Sequence, residues 1–211
     1  MPEKKTARKE EKPADDLSTR DRIQESALEV FAEKGLCGAT MVEIARRAGL
    51  TGGALYRYYP GKDELFQAVI DRHSGAFSAL EMVRDLIPEL QPLTALKFIA
   101  QGMFLFFYGN IDFMRVVVSE AVRSPELSRA FFDKMLQPSE EFIRGCIQQW
   151  KEQGLLRDDL DPAAATTAFM GMLGYLMLDL AFFSGGTQRE VESGELAEQF
   201  TRVFLEGVLK R

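Results

Sequence analysis

Residues 41–58, MVEIARRAGLTGGALYRY, restrict the fold more than any other stretch of the chain. Two short helices that cross through a tight turn need a small residue where the second passes over the first. Ala45 stands at that point. The turn needs a residue that tolerates positive φ, and Gly49 follows four positions later. The pair must also be sealed against a core, and Ile44, Ala48, Leu50, Leu55 and Tyr58 have the spacing to do so. Thr40 and Thr51 each precede a helical run, where a hydroxyl can accept from the first free N–H groups. The pattern predicts a helix-turn-helix, with helices over 41–48 and from 51 to about 58.

The flanks read as helix too. A helix opening at Ser18 carries Ile23, Ala27, Val30 and Phe31 on one face and stops at Gly35. Pro60 and Gly61 break the chain, and a fourth helix runs from Lys62 to about Leu80. Residues 1–16 hold Lys, Glu, Pro and Asp with almost no apolar residue, which predicts a disordered tail. Beyond residue 90 the expected helices cover 93–108, 112–122, 125–135, 138–153, 162–183 and 194–209. Pro138 marks a break or kink and Gly185-Gly186 a loop. No strand and no internal repeat is legible, so the fold class is all-α with about nine helices.

Charge narrows the function. The net charge is -6, yet residues 1–75 balance 13 basic against 13 acidic residues, and the whole excess lies beyond them. Between Thr40 and Lys62 the basic residues Arg46, Arg47, Arg57 and Lys62 face one acid, Glu43. Three of the chain's five tyrosines, Tyr56, Tyr58 and Tyr59, stand within four positions. Their hydroxyls can donate to phosphates, and Thr40 sets a hydroxyl and free N–H groups at a helix start. A locally basic helix-turn-helix on an acidic chain points to double-stranded DNA as partner for that segment alone.

Other chemistries find little support. Cys37 and Cys146 form no CxxC pair, and the one histidine, His73, belongs to no Glu-x-x-His pair, so no metal site is expected. No nucleophile elbow, P-loop or dinucleotide fingerprint occurs. The expectation is a non-enzyme without cofactor. The most apolar stretch, residues 168–183, is shorter than the ~20 residues of a spanning helix and contains Asp179. With no signal-like start, a cytoplasmic protein without a membrane partner is expected.

Residues 18–66, and above all GLTGGALYRYYPGKDELF, resemble the DNA-binding region of the tetracycline-repressor (TetR) family. The resemblance implies that Tyr56 and Lys62 contact the DNA backbone. It also implies that Thr51, Gly52, Gly53 and Arg57 lie near the major-groove edge. Gly52 and Gly53 offer no side chain for reading, and Gly61 replaces the usual Ser or Asn cap. Base readout then falls to Arg47, Thr51 and Arg57. The implied domains are residues 17–62 for DNA and 63–211 for ligand binding and dimerisation, after the tail of 1–16.

Two segments beyond the helix-turn-helix, 93–108 and 168–183, are apolar nearly all round, and such helices are buried on several sides. Aromatics and methionines concentrate there. They form either a packed core or, as the resemblance implies, a cavity for a small-molecule effector. Phe98, Met103, Phe106, Phe107, Phe113, Met114, Phe169 and Met172 are the candidates for its wall. The same resemblance places a homodimer interface on the last two long helices, with Leu173, Leu176, Met177, Leu180, Phe200 and Phe204. A dimer also matches a palindromic operator, because two half-sites supply the specificity that one short helix lacks. Asp179 could pair across that interface, meet a polar group of a ligand, or face solvent. The expected function is a transcriptional repressor released by an apolar or amphipathic molecule. The alternatives are an effector-independent DNA-binding structural protein and a helical-bundle enzyme.

Overall fold

A computed structural model of the chain describes residues 13–77, 86–183 and 193–209, whose regular elements are all helices apart from one isolated bridge between Leu156 and Leu209. The chain divides into two compact units, one up to Val69 and one from Ile70 onward.

In the first unit, α1 (Pro13–Gly38) begins five residues before Ser18. Proline suits a first helical turn, where its missing N–H has no partner to lose. Residues 13–16 are therefore helix rather than tail, and residues 1–12 lie outside the described residues. Ile23, Ala27, Val30 and Phe31 are buried, as their spacing predicts. Gly35 interrupts the helix with φ 69°, and one further turn follows it. Thr40 caps α2 (Met41–Arg47) and Thr51 caps α3 (Gly52–Leu55). The second helix of the pair is shorter than expected, since residues 56–58 form a turn.

The first half of α4 (Lys62–Phe77) completes this core. Leu65, Phe66 and Val69 are buried, and the Phe66 ring meets Phe31 edge-on with centroids 5.5 Å apart. That packing keeps the start of α4, up to Val69, in the first compact unit.

The second unit holds α5 (Pro92–Gly109), α6 (Ile111–Ala121), α7 (Pro125–Phe131), α8 (Gln137–Glu152), α9 (Pro162–Leu178) and α10 (Ser193–Val208). Helix α10 packs on α5, α8 on α9, and α6 on α7. At the expected break or kink at Pro138, a π turn, Phe132–Leu136, joins α7 to α8. A proline ring normally collides with the carbonyl four residues earlier, and the wider π turn gives it room. With α7 and α8 joined and the single 3-10 turn Ile87–Glu89 left aside, the described residues hold nine α-helical runs, in line with the expected number. A second π turn, Asp179–Phe183, extends α9, and Arg115 of α6 donates to the Ala181 carbonyl within it at 2.7 Å. Asp179 opens that turn half-buried, and the Gly185-Gly186 loop lies outside the described residues.

Candidate functional site

The turn between α2 and α3 is built from backbone bonds. Gly49, with φ 69°, donates to the Arg46 carbonyl at 3.2 Å, and Leu50 donates to the Ala45 carbonyl at 2.8 Å. These two bonds form a Schellman motif, which needs a left-handed residue at the glycine. Ile44, Ala45, Ala48 and Leu55 are buried and lock the two helices together. The Thr40 hydroxyl accepts from Glu43 N–H, and the Thr51 hydroxyl from Ala54 N–H, each at 3.2 Å.

The polar residues of this segment fall into two groups. Thr40, Arg46, Thr51, Gly53, Tyr56 and Arg57 are exposed, and Gly52 and Tyr58 are half-exposed. Arg46 and Arg57 hold no ion pair among the described residues. A side chain at Gly52 or Gly53 would meet no atom within 4 Å, so their backbone lies open for close approach.

The other group is engaged within the unit. Arg47, expected to read bases, forks onto the Glu33 carboxylate at 2.6 and 2.9 Å. That bond raises the Arg47 pKa and holds the Glu33 carboxyl below the ordinary carboxylate value. Lys62, half-buried, donates to the Leu36 carbonyl at 2.6 Å and the Cys37 carbonyl at 3.3 Å. Two of its three hydrogens therefore close the end of α1. Tyr59 is buried, and its hydroxyl accepts from Gln24 at 2.8 Å, which makes it core. Arg20 lies 5.5 Å over the Tyr58 ring. The fastening roles of Arg20 and Gln24 had no local signal, because both act on residues more than thirty positions away.

The second unit contains a cavity of about 520 Å³. Its wall comprises Met103 and Phe107 of α5, Met114 of α6, Phe131, Phe132, Met135 and Leu136 at the first π turn, Glu140 of α8, and one side of α9 from Thr167 to Leu178. Of the residues expected on an effector wall, Met103, Phe107 and Met114 line this cavity, with Met177 from the expected interface set. The other expected residues stand elsewhere. Phe98 is 46% exposed, and Phe106 is half-buried beside Phe107. Phe113 is buried and stacked on His73 with centroids 4.1 Å apart. Phe169 is buried against Phe204 at 5.2 Å, and Met172, half-buried, is off the wall.

The expected interface residues are also divided by the packing. Leu173, Leu180 and Phe204 are buried within the subunit, while Leu176, Met177 and Phe200 are half-buried. The exposed apolar residues of these helices are Tyr175, Leu178, Phe182, Phe183 and Val203. The helical run Pro162–Phe183 spans 22 residues, longer than the apolar stretch read from sequence, and by length and composition alone it could cross a membrane. Here one side of it packs on α8 and α5.

Comparison with known proteins matches both units. Residues 23–69 fit the pattern of the bacterial regulatory proteins of the tetR family, and residues 95–207 fit the AefR-like transcriptional repressor C-terminal domain. The chain belongs to the TetR family. TetR-family proteins are DNA-binding transcriptional regulators and not enzymes. A similar protein is the HTH-type transcriptional regulator SrpR of Pseudomonas putida, 29% identical over 166 residues, 76% of this chain and 74% of SrpR. Another is UidR of Escherichia coli K12, 24% identical over 196 residues, 90% of this chain and 93% of UidR. The fold is shared with FadR from Bacillus subtilis, solved in complex with stearoyl-CoA. That structure has a TM-score of 0.73 at 19% identity, covering 89% of this chain and 98% of FadR. In this first unit Arg46, Arg57 and Tyr56 are exposed beside an open glycine backbone, and Arg47 is held by Glu33.

Proposed function

We propose that this TetR-family regulator is a homodimeric repressor of a palindromic operator, released when an apolar or amphipathic small molecule fills the cavity of its second unit. The observation that carries this reading is the cavity itself. A void of about 520 Å³ is within the range of small-molecule sites, and its wall is almost wholly methionine, aromatic and aliphatic. The same fold in FadR accommodates stearoyl-CoA. The large apolar residues left exposed on α9, its π turn and α10 support a dimer, because a partner that covers them removes them from water. In the dimer, two reading helices about 34 Å apart enter successive major grooves. Such a regulator acts where the chromosome is, in the cytoplasm.

A ligand releases DNA only if it binds the DNA-free form more tightly. A coupling of about 1–3 kcal/mol lowers operator affinity roughly 5–150-fold, and DNA lowers ligand affinity by the same factor. The test uses fluorescence anisotropy on DNA from the protein's own promoter region, with and without 1-decanol, alongside sedimentation of the free protein. Equal decanol affinity for free and DNA-bound protein refutes the coupling. A monomer that binds the operator tightly refutes the assembly.

A further inference from the structure

The cavity wall carries one charged side chain among its fifteen residues, Glu140. It is half-buried in the first turn of α8, and it holds no hydrogen bond or ion pair among the described residues. The π turn continues the helix ahead of it, so no free helix N-terminus lies there to balance the charge. None of the other polar groups of the wall carries a positive charge. The Thr167 hydroxyl gives its hydrogen to the Ala163 carbonyl at 3.0 Å and keeps only acceptor capacity. No Lys, Arg or His lines the cavity, and the Tyr175 hydroxyl alone can still donate.

Covering an unpaired carboxylate with a neutral apolar molecule removes its water and returns nothing. A ligand carboxylate would add like charge to the same wall. A cation restores a partner while its chain fills the apolar volume, and the rings of Phe132 and Tyr175 offer further electron-rich faces. We infer that the effector is an apolar organic cation, a protonated alkylamine or a related ammonium compound, with its charge against Glu140. This inference rests on the proposed effector role of the cavity and adds the charge class.

The test is isothermal titration of the full-length protein with three probes of matched chain, decylammonium, 1-decanol and decanoate. In the wild type, decylammonium binds at least about tenfold more tightly than decanol, equivalent to ~1.4 kcal/mol, and decanoate binds most weakly. The chain's net charge of -6 attracts any cation, so E140Q is the control. In E140Q the advantage of decylammonium over decanol falls to within about twofold. Two outcomes overturn the inference, decanoate matching decylammonium in the wild type or an ammonium preference that survives E140Q. The wild-type ordering does not depend on how the variant folds. Binding of decanol without any charge preference sinks the cation and leaves the cavity reading standing. Binding of none of the three sinks both.

Discussion

Replacing Lys62 with alanine separates two roles of one side chain. In the free protein its ammonium bonds the Leu36 and Cys37 carbonyls at 2.6 and 3.3 Å. These are among the last carbonyls of α1, which have no partner inside the helix. A cation there also meets the negative end of the helix dipole. The site is half-buried and screened by solvent, so the loss lies below the usual range for charged hydrogen bonds, at about 1 kcal/mol. For a chain of this length that lowers Tm by roughly 2–4 °C. One hydrogen remains for a phosphate. Each neutralised phosphate contributes about 0.9 to the slope of log K against log salt, so a dimer losing two contacts loses about 1.8. Calorimetry reads the first effect, and operator anisotropy between about 50 and 200 mM salt reads the second. An unchanged Tm refutes the closure of α1 by Lys62. A lowered Tm with an unchanged slope confines the lysine to that role and refutes the phosphate contact.

Gly49→Ala forces a Cβ into a left-handed residue and should destabilise the reading head by about 1–2 kcal/mol, measured by urea unfolding; a neutral result would show that the turn relaxes without cost. Burial holds the pKa of His73, the chain's only histidine, below its ordinary 6.5, although a bond to Asn110 opposes this. The unfolded chain then takes up the proton more readily, so stability is complete above about pH 6.5 and declines as pH falls through it toward the folded value. His73→Gln should flatten stability between about pH 7.5 and 5.5, and an unaltered profile would exclude the imidazole as its source. Phe183→Asp with Val203→Asp places charges on exposed apolar positions off the cavity wall and should give monomers with at least about tenfold weaker operator binding. Sedimentation showing an intact dimer would move the interface elsewhere.

The reading head was legible because its instructions are local. A Schellman turn depends on residues 45–50, and the caps at Thr40 and Thr51 reach only three positions ahead. The burial of Ile23, Ala27, Val30 and Phe31 follows from helical period alone. The outlook was poorer for Arg47 and Lys62. Each carries charge in a basic segment, but their partners lie 14 and 25–26 positions earlier on α1. Nothing within a few residues distinguishes an arginine that meets DNA from one that meets Glu33.

The cavity shows the same division. Sequence by itself determined that residues 93–108 and 162–183 would be helical, with 93–108 and 168–183 apolar, since composition and period are properties of each segment. It carried no record of which side of α9 turns inward, because a helix apolar all round has no polar face to orient it. Only tertiary packing against α5, α8 and α10 buried Leu173 and Phe169 and left Phe182 and Phe183 outside. Packing likewise put Glu140 on an apolar wall, although in the sequence it stands beside Glu141 in an ordinary polar turn. Burial and charge environment are sums over neighbours from several helices, and those neighbours exist only once the helices have met.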